Sequence, residues 1–216
     1  MGTTGFEPVT PAMSRQYSTA ELRTQININL IILKLKKIYT NYNVLKKSLV
    51  FRKFDIQDTE QVLNIYNYYI INSSANFEEK KMTKSNFLIF VNKIINSNLQ
   101  FIVSELENKI IGFTFLSKFR NKSGYRYTFE NSIYVHKNHT GKKIGNKLLS
   151  KLIKLSSNNK EIKTIIAVIG GKNAEASIKI HTKNGFEKAG ILKKVGFKNN
   201  QWVDTIYMQK NINEKN

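Results

Sequence analysis

The sequence contains no cysteine, only three histidines and only two prolines among its 216 residues. Without cysteine there are no disulfides, thiolate metal ligands or cysteine nucleophiles. Because His136, His139 and His181 are the only imidazoles, we also predict no metal cofactor. The apolar run from Ile26 to Leu35 is too short to span a bilayer and is interrupted by asparagine. We therefore expect a soluble, cytoplasmic protein without a membrane partner.

Acidic residues are also scarce, since 15 Asp and Glu face 35 Lys and Arg, for a formal net charge of +20. Such an excess attracts polyanions, including nucleic acids and anionic cofactors. Lysine dominates, however, beside Asn, Ile, Tyr and Phe, the residues that A/T-rich codons specify. No basic stripe interleaved with aromatic residues is evident, so a nucleic-acid partner is disfavoured.

The first part of the chain differs from the rest. It holds both prolines, Pro8 and Pro11, and shows no clear periodicity. The peptides GFEPV and SRQYSTAEL can each be back-translated into the antisense of a transfer RNA arm, in the correct order for one gene. We therefore interpret residues 1–48 as an extension and not a domain, and hypothesise that residues 1–24 are read from the antisense strand of a transfer RNA gene. The nucleotide sequence tests this, and absence of such a gene there would refute it.

From Leu49 onward, hydrophobic patterning predicts an ordered series of elements. The predicted strands are 49–54, 101–105, 109–116, 125–136, 162–169, 191–197 and 202–209. Asp55 or Asp58 is predicted to cap the first helix, the second runs from about Thr83 to Ile95, the third begins near Ile144, and the fourth runs from Ala174 to Lys183. This order, strand, two helices, three strands, helix, strand, helix and two strands, indicates one α/β (α+β) domain over residues 49–210. A polar tail, residues 211–216, follows.

A basic loop with two glycines joins the strand ending near His136 to the next helix and reads HKNHTGKKIG. Free backbone N–H groups and the helix macrodipole favour an anion at such a junction. Gly141 and Gly145 permit close approach of the backbone, and Lys142 and Lys143 supply positive charge. The loop thus favours a phosphate site, although an ordinary strand-to-helix turn with solvated lysines fits the pattern equally well.

Several short motifs occur in a fixed order: YRYTFENSIYVH, IAVIG, SIKIH, NGF, VGFK and QWVDTIYMQ. With the order of elements, they resemble the GNAT N-acetyltransferases, and more narrowly the phosphinothricin and methionine-derivative acetyltransferases. The resemblance covers Leu49 to about Lys210. It implies a mixed, mostly antiparallel sheet flanked by helices and split near Val135, with acetyl-CoA as co-substrate and a homodimer as the assembly.

The resemblance implies transfer of an acetyl group from acetyl-CoA to the α-amine of a small amino-acid-like acceptor, of the phosphinothricin, methionine sulfone or methionine sulfoximine type. Glu130 matches the catalytic glutamate and would remove the ammonium proton. Without the family match, it would read as a strand carboxylate paired with a lysine. His181 matches a histidine proposed beside that glutamate. A packed, hydrogen-bonded helix histidine is the alternative.

Cofactor contacts are implied at the basic loop and its flanks. The implied residues are Val135, through its backbone, and His136, Thr140, Gly141, Lys142, Lys143, Ile144 and Gly145. In the family's pattern for this loop, Thr140 stands where an Arg or Gln is usual, and Lys143 stands where the first glycine is usual. The first change removes a side-chain hydrogen-bond donor, and the second adds a positive charge. Asn173 lies near a CoA-contacting asparagine of the family, although a helix N-cap explains it as well.

Acceptor contacts are implied at Tyr125 and Arg126, which precede the glutamate, at Arg120 upstream, and at Phe77 as a pocket-lining residue. A guanidinium can hold a carboxylate through two hydrogen bonds, which lysine does less specifically. The alternatives are acetylation of a protein or peptide and, outside enzymes, an acyl-CoA sensor or a basic RNA-binding module.

Overall fold

The helices and strands are defined by a computed structural model that describes residues 18–46, 48–171 and 174–212. In these ranges the helices are α1 (Thr19–Lys46), α2 (Thr59–Asn72), α3 (Lys84–Asn96), α4 (Ile144–Ser156) and α5 (Ala174–Lys183). The strands are β1 (Val50–Lys53), β2 (Phe101–Leu106), β3 (Lys109–Lys118), β4 (Thr128–Val135), β5 (Thr164–Gly170), β6 (Glu187–Lys198) and β7 (Gln201–Asn211). From β1 onward, the elements follow the predicted order.

Helix α1 was not predicted from the sequence. It begins at a reciprocal cap, in which the Ser18 N–H donates to the Glu21 carboxylate (2.8 Å) and the Glu21 N–H donates to the Ser18 hydroxyl (3.3 Å). Its apolar residues are spread around the helix instead of forming one stripe, so no helical period stands out. Residues 1–17, most of the segment ascribed to a transfer RNA gene, lie outside the described residues. Among the described helices, none is both long and apolar enough to cross a bilayer.

The strands from β1 onward form one sheet in the order β1-β2-β3-β4-β5-β7-β6. Every neighbouring pair is antiparallel except β4 and β5, which run parallel. The predicted mixed, mostly antiparallel sheet is therefore confirmed. A parallel pair needs a crossover connection, and α4 supplies it between β4 and β5.

The two parallel strands separate within the sheet. β4 pairs with β5 only from Thr128 to Asn131, opposite Thr164 to Ala167. Beyond Asn131, β4 continues beside β3, where Val135 pairs with Gly112, while β5 continues beside β7. The opening thus begins after Asn131, four residues earlier than the predicted position near Val135, because each strand follows its antiparallel neighbour.

The two faces of the sheet are covered by different helices. On one face, Phe113 and Tyr134 pack against Tyr66 of α2, with ring centroids 6.3 and 5.3 Å from it. On the other face, a Cβ placed at Gly112 would contact Leu148 of α4. Because adjacent strand residues point to opposite faces, α2 and α4 lie on opposite sides. This alternation decides which β4 side chains share a chemical environment.

Candidate active site

A cavity of about 1020 Å³ lies where β4 and β5 separate. Its lining comes from β4 and β5, from the segment that follows α2, from α5 and from the turn between β6 and β7. Of the residues predicted to act in catalysis or acceptor binding, Glu130, His181 and Phe77 line it. The opening in the sheet and the predicted glutamate therefore belong to one cavity.

Glu130 lies on β4, between Ser117 of β3 and Ile166 of β5. Its carboxylate makes no hydrogen bond or ion pair with any residue in the described ranges. Burial raises its pKa, and the positive charge of Arg120 opposes this change. A half-buried carboxylate with raised pKa and free oxygens is suited to accept a proton from a ligand.

His181 lines the same cavity as Glu130, but both of its ring nitrogens are engaged by other residues. Its ring is 3% exposed, its Nδ1 lies 2.7 Å from the Ser177 carbonyl oxygen, and its Nε2 lies 3.0 Å from Asn131 Nδ2. No hydrogen bond joins it to Glu130 in the part of the chain that the structure describes. Burial lowers its pKa, which the Ser177 carbonyl only partly opposes. With both nitrogens engaged, His181 is poorly placed to exchange a proton with a ligand, which argues against the predicted catalytic role.

Asn131 was missed by sequence reasoning. It follows Glu130 on β4, so the two side chains point to opposite faces of the sheet. Asn131 is 6% exposed and lines the cavity, and its Oδ1 is the one buried side-chain oxygen or nitrogen among the described residues without a hydrogen-bond partner. Its partner His181 lies on α5, which the alternation of strand residues does not indicate.

The basic loop starts with a 3-10 turn, Lys137–His139, and the backbone then takes up two left-handed conformations before α4. Gly141 has φ +74°, and Lys143 has φ +61°. A left-handed residue at this position explains why glycine is usual there, since a side chain costs about 1 kcal/mol in this conformation. Lys143 does not cap α4 with its side chain. The first turn of α4 can therefore offer its N–H groups to an anion, with Lys142 and Lys143 exposed beside it.

Three other predicted cofactor contacts are already partly engaged. The Thr140 hydroxyl donates to the Lys137 carbonyl (3.1 Å), and the Val135 carbonyl accepts from the Tyr69 hydroxyl (2.7 Å). His136 Nδ1 accepts a bond from the Asn138 N–H (3.3 Å). These bonds fix the loop, and Asn173 lies outside the described residues.

The two predicted acceptor arginines cover different aromatic rings. Arg120 stacks on Phe119, with its guanidinium carbon 4.8 Å from the ring centroid, and its charge acts on Glu130. Tyr125 contacts the same Phe119 ring edge-to-face at 5.9 Å. Arg126 instead covers the Tyr127 ring at 4.5 Å and donates to the Ser123 carbonyl. Neither arginine lines the main cavity, but only Arg120 is electrostatically coupled to the glutamate.

Asn76 holds the segment between α2 and α3 against the cavity. Its Nδ2 donates to the Tyr134 hydroxyl (3.2 Å), and its Oδ1 accepts from the Glu78 N–H (2.9 Å). The buried Lys198 ammonium donates to the Asn76 carbonyl. Burial lowers the pKa of Lys198, against the opposing charges of Glu79 and Glu78. These contacts join residues that are distant in sequence, so no local pattern indicated them.

Phe77 forms one wall of the cavity and rests on two glycines. A Cβ placed at Gly170 would lie 2.7 Å from Phe77 Cζ, and one placed at Gly196 would overlap the same ring. Since real side-chain contacts are never this close, both positions require glycine while the ring stays where it is. Phe77, predicted from the sequence to line the acceptor pocket, thus forms part of the wall of this cavity.

The comparisons with known proteins agree with this geometry. A family model described as an acetyltransferase (GNAT) domain matches residues 51–207. The chain is 31% identical to the phosphinothricin N-acetyltransferase of Alcaligenes faecalis over 72% of this chain and 79% of that protein. It is also 31% identical to the L-methionine sulfoximine/L-methionine sulfone acetyltransferase of Salmonella typhimurium, over 77% and 96% respectively.

Solved structures give the same result. A phosphinothricin acetyltransferase from Sinorhizobium meliloti, in complex with acetyl-CoA, superimposes with a TM-score of 0.73 at 31% identity, covering 76% of this chain and 88% of that one. The fold and site thus define an acyltransferase. The chain belongs to the GNAT acetyltransferases, as the sequence motifs indicated, and its co-substrate is acetyl-CoA.

Proposed function

We propose that the protein acetylates the α-amine of a small amino-acid-like acceptor of the phosphinothricin, methionine sulfone or methionine sulfoximine type. The observation that carries the proposal is Glu130, a carboxylate with raised pKa and no hydrogen-bond partner among the described residues, in the cavity at the opening of the sheet. Relatives that are 31% identical act on these amino-acid analogues, as their names state.

In this proposal Glu130 acts as the general base. An amino acid at neutral pH carries an ammonium group, which cannot attack a carbonyl until it loses a proton. Glu130 would accept that proton, directly or through a water molecule, and the free amine could then attack the acetyl carbonyl without a covalent enzyme intermediate. The new C–N amide bond would form as the C–S thioester bond breaks, and CoA would leave as the thiol with the second proton of the amine. Acetyl-CoA, when bound, supplies the acetyl group as a thioester. His181 contributes by holding Asn131 and does not take part in proton transfer.

The residues present fit the co-substrate. The gap between β4 and β5 leaves room for the extended pantetheine arm of acetyl-CoA. The unpaired Asn131 Oδ1 offers this arm a buried hydrogen-bond acceptor. The N-terminus of α4, with Gly141, Lys142, Lys143, Ile144 and Gly145, would hold the diphosphate through backbone N–H groups and charge. His136, Thr140, Val135 and Asn173 complete the set of proposed contacts.

Arg120 is the residue that we propose to hold the acceptor carboxylate. It is close enough to Glu130 to lower the pKa of that group, which places positive charge near the reacting amine. Tyr125 lies against the same Phe119 ring, so it would border the acceptor. Arg126 is committed to Tyr127 and Ser123, and we assign it a secondary role.

Acetylation of a protein N-terminus is the second candidate. A structure named ribosomal-protein-alanine N-acetyltransferase, from Brucella melitensis, has a TM-score of 0.73 and 33% identity, covering 76% of this chain and all of that one. The test is acetyl-CoA-dependent thiol release by the full chain with methionine sulfone, methionine sulfoximine, phosphinothricin, ordinary amino acids and peptides. We expect turnover of the analogues, and turnover of peptides alone would overturn the small-acceptor proposal.

The Gly196 contact predicts a specificity variant. In Gly196→Ala the new methyl group would overlap the Phe77 ring, so the ring must move and the wall of the cavity changes shape. The ratio of kcat/KM between acceptors with long and short side chains should therefore change by about tenfold. Gly190→Ala is the matched control, because it lies on the same strand and a Cβ there meets nothing within 4 Å. Steady-state kinetics across acceptors of increasing length measure the effect. An unchanged order of preference would contradict the assignment of Phe77 as a cavity wall.

We also propose that a second copy of the chain covers the β6 edge of the sheet. β6 is an edge strand, and exposed apolar side chains occur on it and at the start of β7: Ile191, Leu192, Val195, Phe197 and Trp202. Exposed apolar edges favour association. Light scattering after size exclusion should give a dimer for the wild type and a monomer for Leu192→Lys, while Ile89→Lys, an exposed apolar site on α3, stays dimeric. A monomeric wild type would refute the proposal.

Use of acetyl-CoA, an intracellular metabolite, leads us to propose a cytoplasmic location.

A further inference from the structure

The orientation of the Asn131 side-chain amide is set by a buried chain of hydrogen bonds. Because His181 Nδ1 lies 2.7 Å from a carbonyl oxygen, that of Ser177, Nδ1 must carry the proton. In a neutral ring Nε2 is then an acceptor, and it can only accept from Asn131 Nδ2, 3.0 Å away. The other amide atom, Oδ1, is therefore an acceptor, and it has no partner among the described residues.

This unpaired oxygen occupies a defined place. Asn131 is the last β4 residue paired with β5, opposite Ala167, so its side chain lies at the inner end of the opening. It lines the cavity, and it points to the α5 side of the sheet, away from Glu130. A buried acceptor without a donor is unfavourable, and such groups are rare in folded proteins unless a ligand or water supplies the donor.

We propose that Asn131 Oδ1 accepts a hydrogen bond from the amide N–H of acetyl-CoA that lies nearest to the sulfur atom. The acceptor amine is the other N–H donor expected in this cavity, but it must reach Glu130 on the opposite face. The pantetheine arm has two amides, and the one beside the sulfur enters furthest into the opening. Asn131 thereby sets the depth of the arm, and His181 is a positioning residue that acts through Asn131. The inference rests on acetyl-CoA as co-substrate, whatever the acceptor.

The test compares two ligands by calorimetry: CoA, and a CoA analogue in which an ester replaces the amide nearest to the sulfur. The wild type should bind CoA about tenfold more tightly than the ester analogue, the usual effect of one hydrogen bond. Asn131→Leu should bind the two within about twofold, and His181→Phe should reduce the preference because it frees the amide to rotate. Asn92→Leu, an exposed site on α3, is the control and should keep the full preference.

Two results would overturn the proposal. Equal affinity of the wild type for both ligands would exclude a hydrogen bond to this amide, and this result does not depend on any variant folding. An undiminished preference in folded Asn131→Leu would assign the amide to another partner and Asn131 Oδ1 to an ordered water. Neither measurement requires turnover, so failure of the acceptor proposal would leave this result unchanged.

Discussion

Glu130→Gln should lower kcat by about 10²- to 10⁴-fold, the range typical for loss of a general base, while the affinity for CoA stays unchanged. Glutamine preserves the shape of the side chain but cannot accept the ammonium proton. Thiol release at saturating acetyl-CoA measures kcat, and calorimetry measures CoA binding. Glu161→Gln makes the same chemical change at an exposed position in a surface turn, and it should behave as the wild type. A variant that retains most of its activity would show that Glu130 is not the base.

The pH dependence follows from the same residue. As a base Glu130 must be ionised, so activity falls as the pH drops through its pKa. Burial raises that pKa, so the acidic limb of kcat should lie above the range of an ordinary carboxyl group. A limb at the position of a solvent-exposed glutamate would contradict this account.

Stability should change in the opposite direction from activity in Glu130→Gln. A carboxyl group whose pKa is raised by folding is fully destabilising above its folded-state pKa. The cost declines as the pH falls below that value and is gone below the pKa of the unfolded state. At neutral pH the substitution removes a half-buried charge that accepts no hydrogen bond from the described residues, so the melting temperature should rise. Thermal unfolding of the two proteins at neutral pH thus distinguishes loss of a catalytic group from loss of the fold.

Arg120→Gln should raise the KM for a free amino-acid acceptor by about 10- to 100-fold, as expected for loss of a charge-assisted hydrogen bond to its carboxylate. For the derivative of the same acceptor in which a carboxamide replaces the charged α-carboxylate, the KM should rise far less. Arg126→Gln should have a smaller effect, because its guanidinium donates to the Ser123 carbonyl and, of the two arginines, only Arg120 lowers the pKa of Glu130 through its charge. Lys122→Gln controls for removal of a positive charge from the same loop. Equal losses for the carboxylate and the carboxamide would refute the assignment.

The same variant should alter the pH profile. Arg120 lowers the pKa of Glu130, so removing it raises that pKa further and shifts the acidic limb of kcat to higher pH. An acidic limb that does not move would show that the two groups are not coupled in the working enzyme.

The fold was largely predictable because each element carries a local pattern. The β-branched run around β5 and the helical spacing in α4 place those elements within a few residues, and α5 was predicted with its observed bounds, Ala174–Lys183. β4 begins at Thr128 and not at Tyr125, since Ser123–Tyr125 forms a turn in which the Tyr125 N–H donates to the Lys122 carbonyl. Helix α1 lacked an amphipathic period and was missed.

The site was predictable only where one motif carries it. Glu130 lies within β4 in the motif that carries the family resemblance, and the basic loop follows the end of the same strand, where its glycines and lysines mark it. The partner of His181 depends on packing between α5 and β4, which no local pattern encodes. The preference for Arg120 over Arg126 depends on which of the two charges acts on Glu130, which the sequence does not show. The contact of Lys198 with Asn76 likewise joins distant parts of the chain.

The measurement that tests the central claim most directly is the ratio of kcat/KM for free methionine sulfone to that for a peptide beginning with the same residue, with the full chain and acetyl-CoA. We predict a ratio well above ten, because the peptide lacks the free carboxylate that Arg120 would hold. We also predict that product analysis places the acetyl group on the α-nitrogen. A ratio below one would contradict the small-acceptor account and assign the enzyme to peptide acetylation.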